Sequence, residues 1–355
     1  MTNRDNHQDD LRFRRRIVSA TIIVLLLTGL ALLTIKSIKL LLMILAGVLV
    51  AIFFSSLARK IRSLLPVNRG VSLLIGVFLL LLIGTITIIA AGPSISRQAE
   101  TIRKELPRAF EDFKETAKET PVLSYIYQRV KRSFSEDSKD TKALEKFFSS
   151  FLGGLSDLYI ILFLGIFFMV SPGIYEEGMV RLCPPSGRER CREVLHTLRF
   201  TLQHWLAGKL LSMLVVAVLT AIGLYIMGIP MALILAISAG LLAFIPNFGP
   251  LIALIPAFLI AYSKSPDSGL YVILLYIGVQ AVESNLITPF IQRNMISFPF
   301  ALILIAQVIM GIFTGYLGLI LAVPMVAVVV VLVKMLYIED ILNDTDIQVK
   351  GEPGD

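Results

Sequence analysis

Ile245-Pro246-Asn247-Phe248-Gly249-Pro250 interrupts a stretch, residues 230–262, that is otherwise apolar at nearly every position. Proline has no N–H to give a helix and glycine relaxes the backbone dihedrals, so this cluster ends one helix and starts another. The apolar arm before the break runs for about 16 residues and, as a helix, rises about 24 Å, short of a hydrocarbon core of about 30 Å. Backbone freed by such a break survives in lipid only where protein or a water-filled cavity surrounds it. Residues 230–262 are therefore read as a broken helical hairpin inside a membrane.

The pattern occurs twice. Pro230-Met231-Ala232-Leu233-Ile234-Leu235 matches Pro299-Phe300-Ala301-Leu302-Ile303-Leu304, Phe244 falls on Phe313, and Gly249 falls on Gly318. The second hairpin occupies 299–336, with its break at Gly315-Tyr316-Leu317-Gly318. One apolar span, 270–287, lies between the copies, so they are expected to enter from opposite faces. That is the pattern of inverted repeats, which hold a solute where their breaks approach each other. Pro230, Pro289, Pro299 and Pro324 are further positions at which helices are expected to break.

Composition agrees with a membrane location. Of 355 residues, 56% are apolar and 17% charged, and the mean hydropathy is +0.79, whereas a soluble domain is about one-quarter charged. Besides the hairpins, unbroken apolar runs cover 17–35, 38–58, 71–91, 151–170, 206–227 and 270–287. Their lengths suit helical spans, and their lack of alternation excludes a β-barrel. The expected fold is an all-α, polytopic membrane protein with two broken helical hairpins. The first run follows Arg12, Arg14, Arg15 and Arg16 as a signal peptide would, but a second run follows at once, so it is read as a retained anchor.

The formal charge of +7 gathers in short segments beside apolar runs. No nucleic-acid recognition motif accompanies it, so membrane orientation is the better explanation. The N-terminal arginines and Arg59, Lys60, Arg62 and Arg69 belong on the cytoplasmic side, two spans apart, and Arg181, Arg188, Arg190, Arg192 and Arg199 return to it. The chain then divides into N-terminal spans (1–92), an extracytoplasmic helical segment (93–150), a fourth span (151–171), a cytoplasmic helical segment (172–204), a C-terminal core (205–338) and a cytoplasmic tail (339–355). Both termini are placed in the cytoplasm, where Cys183 and Cys191 stay reduced.

In the outer segment Ile95, Ala99, Ile102, Leu106, Phe110, Phe113 and Ala117 recur at helical spacing, with Pro107 expected to kink the helix. Such a face lies on the membrane surface, on its own subunit, or against another copy. A second amphipathic stretch, 187–203, carries His196, which lacks partners at metal-ligand spacing.

Ionisable and amide groups inside spans are costly and therefore candidates for function. Glu283 lies about one turn inside its span, with Gln280 three residues earlier. Lys209 sits at similar depth, so an ion pair between Lys209 and Glu283 is expected, either as structure or as a coupling site for a proton or cation. Asn247, Asn285 and Gln307 offer the donors and acceptors with which a polar solute replaces its water. Asn247 is the chief candidate for a gate, with capping of the freed backbone as the alternative. Gly311 and Gly315 suit close helix packing within the subunit.

Gln203 to Leu211 with Trp205 and Gly208, the run from Gly240 to Pro250, Gln280-Ala281-Val282-Glu283, Pro289, Pro299, and Gly315 through Pro324 resemble the ordered motifs of the autoinducer-2 exporter (AI-2E) family of bacterial permeases. The resemblance implies a bacterial inner-membrane location, about eight transmembrane segments with each hairpin counted as one, and a homo-oligomer, with a pentamer as one form. It also implies transport, of autoinducer-2 in some members and sodium–proton exchange in others. Pro246, Gly249, Pro250, Gln280, Glu283, Pro289, Gly315 and Pro324 are the positions that match family motifs.

The leading functional expectation is ATP-independent export of a small polar solute along a path bordered by Pro246, Asn247, Gly249, Pro250, Gln280, Glu283, Asn285, Gln307, Gly315 and Gly318. No phosphate-binding GxxxxGK[ST] loop is present. Sodium (lithium)–proton exchange through Glu283 is the second reading, and a membrane scaffold that transports nothing is the third. No nucleophile motif, metal cluster or cofactor motif points to an enzyme, and the expected partners are lipid and a small solute or cation.

Overall fold

A computed structural model of the protein describes residues 37–82, isolated positions between 85 and 105, 157–289 and 300–344. The first span, the Pro107 kink, the apolar positions assigned to the outer amphipathic helix, Pro299 and the tail beyond Asp344 lie outside the described residues.

Every regular element among the described residues is helical. In chain order they are α1 (Ser37–Leu64), α2 (Arg69–Leu82), α3 (Asp157–Val170) and α4 (Pro172–Leu182), then α5 (Arg188–Ile226), α6 (Ala232–Leu242), α7 (Phe248–Lys264) and α8 (Pro266–Val282). The last two are α9 (Phe300–Thr314) and α10 (Tyr316–Leu332). Wider π turns extend α8 through Glu283–Ile287 and α10 through Val333–Glu339.

Four of these helices are long and apolar enough to cross a bilayer, or five if the bent pair α3–α4 is one span. The count of about eight is therefore not reached among the described residues, for two physical reasons. The first apolar run lies outside them, and the hairpin arms α6, α7 and α9 have 11, 17 and 15 residues, below the length of about 20 that spans a hydrocarbon core, whereas α10 reaches it with its π extension.

The α3–α4 pair bends by 87° at Ser171. Ser171 precedes Pro172, whose ring disfavours helical backbone in the residue before it, and Ser171 accordingly sits at φ −133° and ψ 59°. The turned helix α4 is tied to α5 by Glu176–Arg199 (3.1 Å) and Glu177–Arg192 (3.3 Å), exposed pairs worth about 0–1 kcal/mol each.

Helix α5 is the spine. The sequence suggested a boundary between a peripheral helix and a span near residue 204, but one helix of 39 residues runs through it. Its central residues Leu202, Trp205 and Leu206 pack in one cluster with Leu42, Met43 and Leu49 of α1 and Leu317, Leu321 and Val323 of α10. Farther along, Val216 and Leu224 pack with Leu235 and Ala239 of α6, Ala257 and Ile260 of α7, and Val272 and Tyr276 of α8. Apolar residues such as Leu214, Ile222, Leu274 and Ile277 remain exposed on the outside, as lipid-facing surfaces require.

The two hairpins point in opposite directions along this spine. At its C-terminal end, Lys264 of the first hairpin donates from Nζ to the carbonyls of Met227 (3.2 Å) and Gly228 (2.9 Å). At its N-terminal end, Arg190 donates to Asp340 (3.0 Å) and to the carbonyl of Met335 (3.1 Å), and also pairs with Glu339, just beyond the second hairpin. The open end of one hairpin therefore lies at the end of α5 opposite that of the other.

The two breaks share features of length and backbone. Asn247, immediately before α7, and Gly315, immediately before α10, both have φ +66°, with ψ −49° and −140° respectively. Both α7 and α10 have 17 residues, with an internal proline, Pro256 and Pro324, at the ninth position of each. The second arms are thus in register with Asn247 opposite Gly315, one residue away from the alignment of Gly249 with Gly318 that sequence suggested. The difference of one residue falls in the break, where a turn absorbs it without disturbing either helix.

Candidate functional site

Trp205, Lys209 and Ser212 fall on one face of α5, at the i, i+4 and i+7 spacing of a helix. Trp205 stacks edge-on against Phe244 at the first break, with ring centroids 5.8 Å apart. Lys209 places Nζ 3.4 Å from Oε1 of Glu283, and Ser212 donates its hydroxyl to the same oxygen at 2.5 Å. The side chains of Lys209 and Glu283 are only 11% and 10% exposed, so this pair is desolvated. Because Trp205 and Lys209 are one turn apart, about 6 Å of rise separates the level of the first break from that of the ion pair.

Glu283 is where α8 changes from α to π geometry, and the N–H of Thr288 reaches back to its carbonyl. Single π turns inside helices recur at functional sites because the extra residue re-aims the side chains around it. Asn285, expected to border the solute path, is exposed and donates to the carbonyl of Ala281 at 2.9 Å. Gln280 donates to the Ser284 hydroxyl at 3.3 Å. Both amides are thus engaged along their own helix, and neither has a bond to Glu283.

At the first break the freed carbonyl of Pro246 accepts from the N–H of Phe248 at 2.7 Å and from Nε2 of Gln307 at 2.9 Å. Oε1 of Gln307 in turn accepts from Nδ2 of Asn247 at 3.1 Å. Gln307, on α9 in the other hairpin, is fully buried. One side-chain amide therefore satisfies the interrupted backbone and holds the two repeats together. Asn247 does not cap α7 with its own side chain. Pro250 lies in the first turn of α7, where a missing N–H costs no helical bond. Substituting Gln307 by leucine leaves Pro246 O and Asn247 Nδ2 without this partner in an apolar setting. The expected loss is about 1–3 kcal/mol of stability, measured as thermal unfolding of the purified protein in detergent.

The second break is anchored differently. Tyr316 donates its hydroxyl to Asp157 of α3, and Lys39 of α1 lies 2.9 Å from the same carboxylate. Gly318 lies close beneath the end of α9, and Gly311 packs against Leu319 within the hairpin. Of the expected helix breaks, Pro230 lies in the turn before α6, Pro289 is helical, and Pro324 lies buried inside α10, which continues through it.

Sequence reasoning missed Lys39, Asp157, Ser212 and Tyr316. Asp157 had a visible signal, being the one acidic residue in the run 151–170. Ser212 had none, since a serine within a span is unremarkable until a carboxylate faces it. No group of three or more His, Cys, Asp or Glu side chains able to hold a metal occurs among the described residues. The site offers one carboxylate, one amine, a hydroxyl and two amides, a set suited to exchanging hydrogen bonds with a solute or holding a proton or cation.

A sequence profile described as "AI-2E family transporter" matches residues 17–338. The chain belongs to the AI-2E transporter family. Among its relatives, "Putative transport protein YueF" of Bacillus subtilis is 28% identical over 305 residues, covering 81% of each chain. "Putative transport protein YrrI" of the same organism is 33% identical over 168 residues, 47% of this chain and 48% of that one. "Putative transport protein YhhT" of Escherichia coli K12 is 28% identical over 135 residues, 38% of this chain and 39% of that one. Family and helices together make the protein a multi-pass membrane protein of the transporter class.

Proposed function

We propose that this AI-2E family protein exports a small polar solute across the bacterial inner membrane without ATP, along a path bordered by the two hairpin breaks. An autoinducer-2-like signal is the substrate class that the family resemblance suggests. The observation that carries the reading is the bond set joining Asn247, Pro246 and Gln307, which couples the break of one repeat to a buried amide of the other. Interrupted backbone in a membrane protein must border protein or water, and a hydrogen-bonded amide pair at that place can exchange partners with a passing polar solute. Opposed hairpins supply the two half-structures whose relative motion exposes such a site first to one side and then to the other.

The test is flux in liposomes containing the purified protein, screened with signalling furanones, sodium and protons. Asn247→Ala is expected to lower furanone flux about tenfold, the effect of one lost hydrogen bond of about 1.4 kcal/mol, while the protein remains folded. Unchanged flux in that variant, or absence of furanone flux in the wild type, would remove the solute reading.

A second reading is favoured by one specific observation. Glu283 is a nearly buried carboxylate held by an amine and a hydroxyl, in a turn of altered helical geometry. That arrangement suits proton or cation coupling, either as sodium–proton exchange or as the driving step of solute export.

A further inference from the structure

Away from both breaks, a cavity of about 180 Å³ opens where the C-terminal end of α1, the start of α2 and the N-terminal third of α5 converge. Its wall includes Ser55, Arg59, Arg62, Arg69, Leu73 and Arg199. Four guanidinium groups thus face one small space, and no carboxylate is among the lining residues. Arg199 is paired with Glu176 outside the cavity, Arg69 donates to the carbonyl of Met169 at 3.3 Å, and Arg59 donates to the side chain of Gln203. Arg62 has no hydrogen-bond or ion-pair partner among the described residues. The cluster therefore carries positive charge that its own neighbours do not neutralise.

Like charges gathered on a partly desolvated cavity repel, and an anion placed between them removes that cost. Guanidinium forks match phosphate oxygens in two-point contacts, so the ligand class is a phosphate-bearing anion. The volume lies below the about 300–1,000 Å³ of pockets for drug-sized ligands and suits a small group of this kind. Position selects its source. Leu74 and Phe78, on the helix that supplies Arg69 and Leu73, are exposed and apolar, so acyl chains can lie along α2 while a phosphate reaches the arginines. The arginine pattern also assigns this end to the cytoplasmic leaflet, where basic pockets between helices bind anionic headgroups.

We infer that this arginine-lined cavity binds a phosphate group, supplied by an anionic phospholipid, and that the bound headgroup ties α1, α2 and α5 together. The inference is independent of the transported solute.

The experiment uses the full-length protein in neutral detergent. Short-chain phosphatidylglycerol, short-chain phosphatidylcholine and inorganic phosphate are titrated separately, with binding read by native mass spectrometry and by the shift in unfolding temperature. Phosphatidylglycerol is expected to bind and raise the unfolding temperature. Arg62→Gln should weaken that binding about tenfold, the loss of one charge-assisted contact, and Lys60→Gln, one turn end away but not lining the cavity, by less than about twofold. Arg62 makes no intramolecular bond among the described residues, so its replacement should leave the unliganded protein as stable as wild type. Arg62→Lys, which keeps the charge and loses the fork, should fall between. Equal losses in Arg62→Gln and Lys60→Gln would show general surface attraction and overturn the site. Inorganic phosphate binding that phosphatidylglycerol does not displace would overturn the lipid source.

Discussion

A Gly318→Val variant is expected to lose the packing of the second hairpin and, with it, transport. A Cβ built at Gly318 would lie 2.1 Å from the carbonyl oxygen of Met310 and 2.2 Å from Oγ1 of Thr314. At Gly249 in the first hairpin, it would lie 1.9 Å from the carbonyl oxygen of Leu242. These neighbours are backbone at the end of a helix or a hydroxyl held to it, so they cannot swing aside as a flexible side chain would. Thr314 Oγ1 already donates to Met310 O at 2.7 Å. Overpacking of a well-filled interior costs about 1–3 kcal/mol, and contact with fixed backbone belongs at or above the top of that range. Gly249→Val should behave alike. Gly278→Ala, at a site in α8 with nothing within 4 Å of the added carbon, should be nearly neutral. Unfolding temperature in detergent and the fraction of monodisperse protein provide the measurement. Wild-type behaviour of Gly318→Val and Gly249→Val would show that the close approach of the arms is not needed.

The second large effect concerns Glu283 and separates its two roles. Glu283→Gln leaves the Lys209 amine nearly buried without its counter-charge, and breaking a buried pair in this way costs about 3–5 kcal/mol. A double replacement, Lys209→Met with Glu283→Leu, removes both charges and should bring stability back to near wild type, since apolar replacements of buried pairs are often neutral or stabilising. Flux decides the rest. If the pair is purely structural, the double variant recovers transport along with stability. If the Glu283 carboxylate couples flux to a proton or cation, the stable double variant remains uncoupled. The readout is proton-coupled flux in liposomes alongside thermal unfolding, and full coupled flux in the double variant would sink the coupling role.

Much of the architecture was legible because it follows from local constraints. Pro246 beside Asn247 and the glycine at Gly315 favour a break in a helix, and apolar runs of span length have few other uses. The expected Lys209–Glu283 pair is present because both charges lie within apolar segments, where a lone charge is costly. Gln280 is expected near Glu283, and Asn285 along the solute path, whereas their amides bond to Ser284 and Ala281 along α8. Nearness along the chain does not decide which partner a long amide side chain chooses, and the π turn that alters the face of α8 has no clear sequence mark. Pro324 shows a related limit. A proline removes one helical hydrogen bond, but packing on all sides can hold the helix straight enough to continue, as α10 does.

By itself the sequence determined that this chain is an assembly of apolar helices and that two of its helical units are interrupted. These properties depend on residues next to one another, through hydrogen-bond capacity, dihedral freedom and hydrophobicity. Only the tertiary structure decided that Gln307 of one hairpin completes the break of the other, that Ser212 joins the Lys209–Glu283 pair, that Asp157 holds Tyr316, and that four arginines from three helices line one cavity. Those contacts join residues far apart in the chain, and their distances are set by how rigid helices cross, a property no single stretch of sequence contains.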